Sequence, residues 1–312
     1  MTEITIGIDV SKDHLDAYRL PEGDAERFTN DAAGLKALRR WIGRKAVARI
    51  LFEATGPYTR ALEQLLDRAN LPRVKVNPRQ ARRFAEAVGT LTKTDPVDAA
   101  ILARMGAALE LAPQTPASPT LIALKELHQA RRALVKDRVA AKTRAKMLCL
   151  ALLRRHNAER LRQIDRQILA VDDAIRTLVQ RDENLARQVA ILTTMPGIAT
   201  ITACALIAEL PELGQIDHKQ LASLAGLAPH ARQSGRWTGH VTIRGGRANL
   251  RRALYMPALN ACRYNPDLKA KYQQLIASGK PPKVAITAVM RKLLITANAI
   301  VRDNRSWDNY YT

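Results

Sequence analysis

Ile4-Thr5-Ile6-Gly7-Ile8-Asp9-Val10 alternates β-branched residues with others and closes on an acid. Alternation of that kind predicts a strand. A turn around Ser11-Lys12-Asp13 separates it from a second strand, His14–Leu20, with a third short strand near Arg27–Thr29. The period then becomes helical, with Leu35, Leu38 and Ile42 on one stripe of Ala33–Gly43. Arg49-Ile50-Leu51-Phe52-Glu53 is a second strand ending in an acid, followed by the turn signal Gly56-Pro57. Thr59–Ala69 reads as a helix with Leu62, Leu65 and Leu66 inward. Arg73–Val76 reads as a short strand, Pro78–Val88 as a helix, and Asp95–Ala108 as another. This order predicts an α/β domain with a mixed sheet, residues 1–110.

Leu111–Pro119 holds three prolines and reads as a linker. Thr120–Arg154 then lacks Gly and Pro, and Leu121, Leu124, Leu127, Leu134, Val135, Leu148 and Leu152 form a helical stripe. A second such stretch covers Glu159–Thr193. Residues 111–193 are therefore expected to form a linker and an antiparallel helical pair or coiled-coil arm, the stripe being core or a dimer seam. The basic outer faces suit either solvent or nucleic acid. Residues 194–312 form a third, mainly α region. Pro196-Gly197-Ile198 before Thr200–Glu209 fits a helix-hairpin-helix turn, whose amides can hold a phosphate, and equally a structural αα-hairpin. A helix over Leu221–Leu227, a loop over residues 228–236, a strand at Val241-Thr242-Ile243 and a helix over Ala248–Cys262 complete the reading.

Charge sharpens this division. The net charge is +21, yet residues 1–110 carry 18 basic against 15 acidic residues, and the rest 32 against 14. A polyanion partner for the later regions follows. Asp267 is the single acid between 218 and 292, and Arg232, Arg236, Arg244, Arg247 and Arg251 surround glycine-containing turns there. Such turns suit phosphate. Aromatic residues are 4% of the chain, too few for base stacking to dominate. Cys149, Cys204 and Cys262 are far apart, which argues against a disulfide framework or a zinc site. The longest uncharged apolar run, near Pro196–Ala208, is too short for a bilayer, and no signal segment opens the chain. A cytoplasmic protein without a membrane partner is expected.

The chemistry concentrates in four carboxylates. Asp95 and Asp98 are three apart and share a face at a helix start, with Thr94 as a candidate N-cap and Pro96 in the first turn. Dipole partnering alone could account for that pair. Asp9 and Glu53, however, each lie on an apolar strand, where a lone charge is costly without a compensating partner or metal. Four such oxygen donors suit Mg²⁺ or Mn²⁺, and phosphoryl transfer on nucleic acid. Their order resembles the acidic pattern of RuvC-like, RNase H-type nuclease folds.

Three pieces of the chain together resemble the DEDD-type insertion-sequence transposases of the IS110 family, relatives of the Piv DNA invertases. Gly7-Ile8-Asp9-Val10-Ser11-Lys12, Glu53-Ala54-Thr55-Gly56-Pro57-Tyr58 and Lys93–Ala99 look like the family's N-terminal domain. Pro196-Gly197-Ile198, Gly226-Leu227-Ala228-Pro229 with Ser234-Gly235, and Gly246–Tyr255 look like its C-terminal domain. The resemblance implies that Asp9, Glu53, Asp95 and Asp98 hold Mg²⁺ and that Ser234 is a nucleophile forming a covalent bond to DNA. It also implies guidance by a structured non-coding RNA. Alone, Ser234 reads as a turn serine; Ser11, Ser223 and Tyr255 are weaker candidates. The long helices would space the domains, so a homo-oligomer, dimer or tetramer, is expected to combine the acids of one subunit with Ser234 of another. A RuvC-like nuclease that only hydrolyses DNA needs the same acids but not Ser234. An actin-like sugar kinase would need further glycine-rich phosphate loops, which are not found, and a non-catalytic binding protein would not need four acids.

Overall fold

The computed structural model describes residues 3–54, 56–90, 94–116, 118–231, 233–235 and 237–307. Thr55, Lys93, Arg232 and Arg236 lie outside the described residues. Contacts divide the chain into two compact units, Met1–Pro116 and Ala117–Thr312.

The first unit is built on five strands: β1 (Ile4–Val10), β2 (His14–Leu20), β3 (Ala25–Thr29), β4 (Val47–Glu53) and β5 (Arg73–Val76). Their order is β3-β2-β1-β4-β5. The first three pair antiparallel, whereas β4 lies parallel to β1 and β5 parallel to β4. The sheet is mixed, as the pattern predicts. Helices α1 (Ala32–Ile42) and α2 (Arg60–Arg68) pack Leu38, Ile42, Leu62 and Leu66 on one face, against Ile6, Ile8, Ile50 and Phe52. Asp31 caps α1 by accepting from the Gly34 amide at 2.8 Å. The other face packs Leu51, Val74 and Val76 against helices α3 (Pro78–Ala87) and α4 (Asp95–Ala108), through Ala81, Leu102 and Met105. Gly7 lets α4 come close: a Cβ there would strike the Ala99 carbonyl and approach the Ala103 nitrogen at 2.5 Å. Along the outer edge of β5, Gln114 donates its amide to the Arg73 carbonyl at 2.8 Å and its side chain to the Lys75 carbonyl at 3.1 Å.

The second unit is mainly helical: α5 (Pro119–Ala145), α6 (Ala151–Arg181), α7 (Glu183–Thr193), α8 (Thr200–Glu209), α9 (His218–Leu224), α10 (Ala248–Tyr264), α11 (Pro266–Ala277) and α12 (Pro282–Arg302). Between α9 and α10, four two-residue strands make two small ladders. β6 (Pro229–His230) pairs with β9 (Thr242–Ile243), and β7 (Gln233–Ser234) with β8 (Trp237–Thr238). Arg131 pairs with Asp172 at 2.5 Å and Arg138 with Asp165 at 3.5 Å. Those pairs run in opposite chain directions, so α5 and α6 are antiparallel. One core joins Leu192, Leu206, Leu221, Leu250, Leu254, Val289 and Leu293.

Several boundaries differ from the pattern reading. The helix predicted over Thr120–Arg154 ends at Ala145, and the next, expected from Glu159, begins at Ala151. No Gly or Pro marks this turn. It is made by Lys146–Leu150, with the Arg154 guanidinium donating to the Leu148 carbonyl at 2.8 Å. The stripe divides accordingly: Leu124 is buried and Leu152 is 55% exposed. The second stretch breaks at Asp182, whose carboxylate accepts from the Leu185 amide at 3.0 Å and caps α7. Pro119, read as linker, sits in the first turn of α5, where its missing N–H costs nothing. Helices α11 and α12 lie beyond the predicted set. Among the described residues α12 is long and apolar enough to cross a membrane, with a mean hydropathy of 1.6. Arg291-Lys292 splits its sequence, so the uncharged run near Pro196–Ala208 is longer than either half. In this fold α12 is a core helix, with Val289, Leu293, Ala297 and Ile300 buried.

Candidate active site

Side chains alternate along a strand, so Asp9 lies on the same face as Gly7, and Glu53 on the same face as Leu51. Both therefore face α3 and α4. The β1–β4 register pairs Gly7 with Leu51 and Ile8 with Phe52, so Asp9 and Glu53 end two adjacent parallel strands side by side. Open α/β sheets hold their sites at such carboxyl ends. Asp95 and Asp98 stand in the first turn of α4, over the same strand ends. Thr94 has the extended conformation of an N-cap, but its hydroxyl makes no capping bond. All four carboxylates line one cavity of about 410 Å³, with Pro78, Ala81, Arg82, Ala85 and Ile101 completing its wall.

The cavity is electrostatically loaded. Burial, then the charges of Asp98, Asp95, Glu53 and Asp16, push the Asp9 carboxyl up from 3.8 to about 6. A single Asp16–Arg27 fork adjoins the cavity. Arg27 Nε donates to Asp16 Oδ1 at 2.8 Å and Nη2 to Asp16 Oδ2 at 3.1 Å. The same Nη2 reaches Asp95 Oδ2 at 3.1 Å. Among the described residues, no three His, Cys, Asp or Glu side chains converge closely enough to form a ready metal cage. The donor set nevertheless fits a hard cation: all oxygen, grouped on one cavity, where burial and the neighbouring carboxylates push the Asp9 carboxyl up to about 6. Asp16 and Arg27 escaped the sequence reading. The signal was present, since Asp16 is an acid within the alternating strand His14–Leu20, as Asp9 is within Ile4–Val10.

The remaining sequence candidates belong to the second unit. Ser234 is exposed and pairs with Trp237 across the β7–β8 ladder, beside Gly235 at φ +55°. Arg244 is exposed. Arg247 is committed to the fold: it forks onto Glu212 at 2.6 and 2.7 Å and donates to the Glu209 carbonyl at 3.0 Å. Burial alone would raise the Glu212 carboxyl, but the Arg247 fork outweighs it and holds the carboxyl below its usual range. Arg251 donates to the carbonyls of Ala225 at 3.2 Å and Gly245 at 2.5 Å. The glycine turns serve close approach: a Cβ on Gly246 would meet the Cα of Gly226 at 2.5 Å. Gly197 likewise backs onto α10, where a Cβ would lie 2.8 Å from the Pro257 carbonyl.

Residues 6–151 match a DEDD-type IS110 family model described as a transposase, and residues 189–273 match the model described as transposase IS116/IS110/IS902 family. The pilin gene-inverting protein of Moraxella bovis is 31% identical over 99% of this chain and 98% of its own. Its counterpart in Moraxella lacunata shows the same identity and coverage. An insertion element IS110 uncharacterized 43.6 kDa protein of Streptomyces coelicolor is 30% identical over 38% of this chain.

Proposed function

The chain belongs to the IS110 family of transposases, and from that premise we propose that it cuts and rejoins DNA by phosphoryl transfer at the Asp9, Glu53, Asp95 and Asp98 cavity. The observation that carries the proposal is the meeting of these four carboxylates at two parallel strand ends and one helix start. We read the first unit as a RuvC-like, RNase H-type fold. Its strand order, with three antiparallel and two parallel-paired strands, supports that reading. The α5–α6 pair is read as a coiled-coil arm, supported by its antiparallel ion pairs. The protein is taken to work in the cytoplasm of a prokaryotic cell as a dimer or tetramer, guided by a structured RNA.

Mg²⁺, or Mn²⁺ in its place, would be held by the four carboxylates, where it would stabilise charge developing on phosphate oxygens. Ser234 is the proposed nucleophile. Its Oγ forms a bond to phosphorus as one strand's P–O bond breaks, and the departing strand oxygen takes up the hydroxyl proton. The number of phosphate ester bonds is conserved, so no external energy source is needed. Exposure of Ser234 beside a positive-φ glycine supports access for a phosphodiester. Arg244, also exposed, is available to a neighbouring phosphate, whereas Arg247 and Arg251 act by building the fold around it.

The test is incubation with element-end DNA, guide RNA and Mg²⁺, followed by denaturing electrophoresis. Wild-type protein should yield a protein–DNA adduct that mass spectrometry maps to Ser234. Ser234→Ala should bind nucleic acid and form no adduct. Cleaved DNA without an adduct would indicate a hydrolytic nuclease, and an adduct on Tyr255 or Ser223 would overturn the serine assignment.

A further inference from the structure

Asp9, Asp16 and Arg27 stand in a row across β1, β2 and β3, paired in register on one face of the sheet. Asp16 is 5% exposed, a buried acid that requires a partner. The Arg27 fork supplies it with two bonds, which fix the plane of the guanidinium. Nη2, once fixed, is shared with Asp95 Oδ2. We propose that Asp16 and Arg27 are positioning residues that orient Asp95 for metal coordination, a role that rests on the carboxylate site proposed above.

Asp95 needs such help more than its companions. Asp9 and Glu53 are mounted on strand ends and half-buried, whereas the Asp95 side chain is 55% exposed in the opening turn of a helix whose N-cap hydroxyl is not engaged. Left alone, it would sample several rotamers. The guanidinium holds one oxygen and leaves Oδ1 for the cavity. Partners of this kind fix a ligand's orientation, and their loss typically weakens metal binding 10- to 100-fold. An opposite electrostatic effect must be weighed, because a guanidinium repels a cation. Asp16 and Arg27 form a neutral pair, so removing both leaves the cavity's net charge unchanged and isolates the geometric effect.

The experiment is a Mn²⁺ titration of the full-length protein followed by electron paramagnetic resonance, which requires neither DNA nor turnover. The double variant Asp16→Asn/Arg27→Gln should bind Mn²⁺ about tenfold more weakly than wild type, with an altered bound-ion line shape. Arg27→Lys keeps the charge but loses the fork and should weaken binding in the same direction. Should the double variant fail to fold in a thermal scan, Arg27→Lys decides the matter. Unchanged affinity overturns the proposal. Tighter binding overturns it too, making Arg27 a competitor of the ion. Asp9→Asn separates the carboxylate site from its support. Binding that survives Asp9→Asn removes the carboxylate site and the positioning role together; binding lost there but intact in the double variant removes the positioning role alone.

Discussion

At the scale of single residues, Asp9 carries the most information. Its folded-state carboxyl titrates near 6, against 3.8 for the ordinary group. The folded chain thus holds this proton more tightly than the unfolded one. Its stabilising contribution is full below about 3.8 and is lost as pH rises through about 6. In EDTA, Asp9→Asn should therefore raise the thermal midpoint at pH 7 and narrow its difference from the midpoint at pH 5. Differential scanning calorimetry of both proteins checks this, and a variant less stable than wild type at pH 7 would contradict it. Asp9 and Glu53 were legible because an acid inside an apolar alternation is anomalous. Asp16 was equally anomalous but lacked a second cue. The roles of Arg247 and Arg251 were not legible, since a positive charge in the sequence does not reveal whether its partner is a phosphate or a carboxylate and carbonyl of the same chain.

Elements were legible where the hydrophobic period was clean. The strands of the first unit follow mostly from alternation and α1 and α2 from stripes of three and four, whereas α3 and α4 follow from their opening prolines and helix-forming residues. The α5–α6 turn did not, because Met147 and Leu150 resemble the stripes on either side and no Gly or Pro interrupts them. At this scale the critical contact is between β1 and α4. Gly7→Ala would place a methyl group against the backbone of Ala99 and Ala103, where no side chain can yield. Such overpacking typically costs about 1–3 kcal/mol. Urea denaturation should show that loss. Mn²⁺ binding should weaken in parallel, because pushing α4 from β1 carries Asp95 and Asp98 away from Asp9. Wild-type stability for Gly7→Ala would show that the two elements do not depend on this close approach.

For the whole molecule, the division of charge sets the division of labour. Fourteen acids against 32 basic residues beyond position 110 predict nucleic-acid affinity there. Binding should fall steeply with salt, as counterion release requires. A fragment ending at residue 116 should bind far more weakly than the full chain at moderate salt; comparable affinity by fluorescence anisotropy would refute this. The place where such a fragment is cut matters for another reason. Gln114 occupies two carbonyls on the outer edge of β5. An open strand edge is a template for other chains. Trimming the protein at residue 110 would strip that cover and invite edge-to-edge association, whereas stopping at 116 keeps it. Light scattering should find the shorter piece clumping and the longer one dispersed. Six residues that read as a proline-rich connector are thus expected to guard the sheet edge against aggregation.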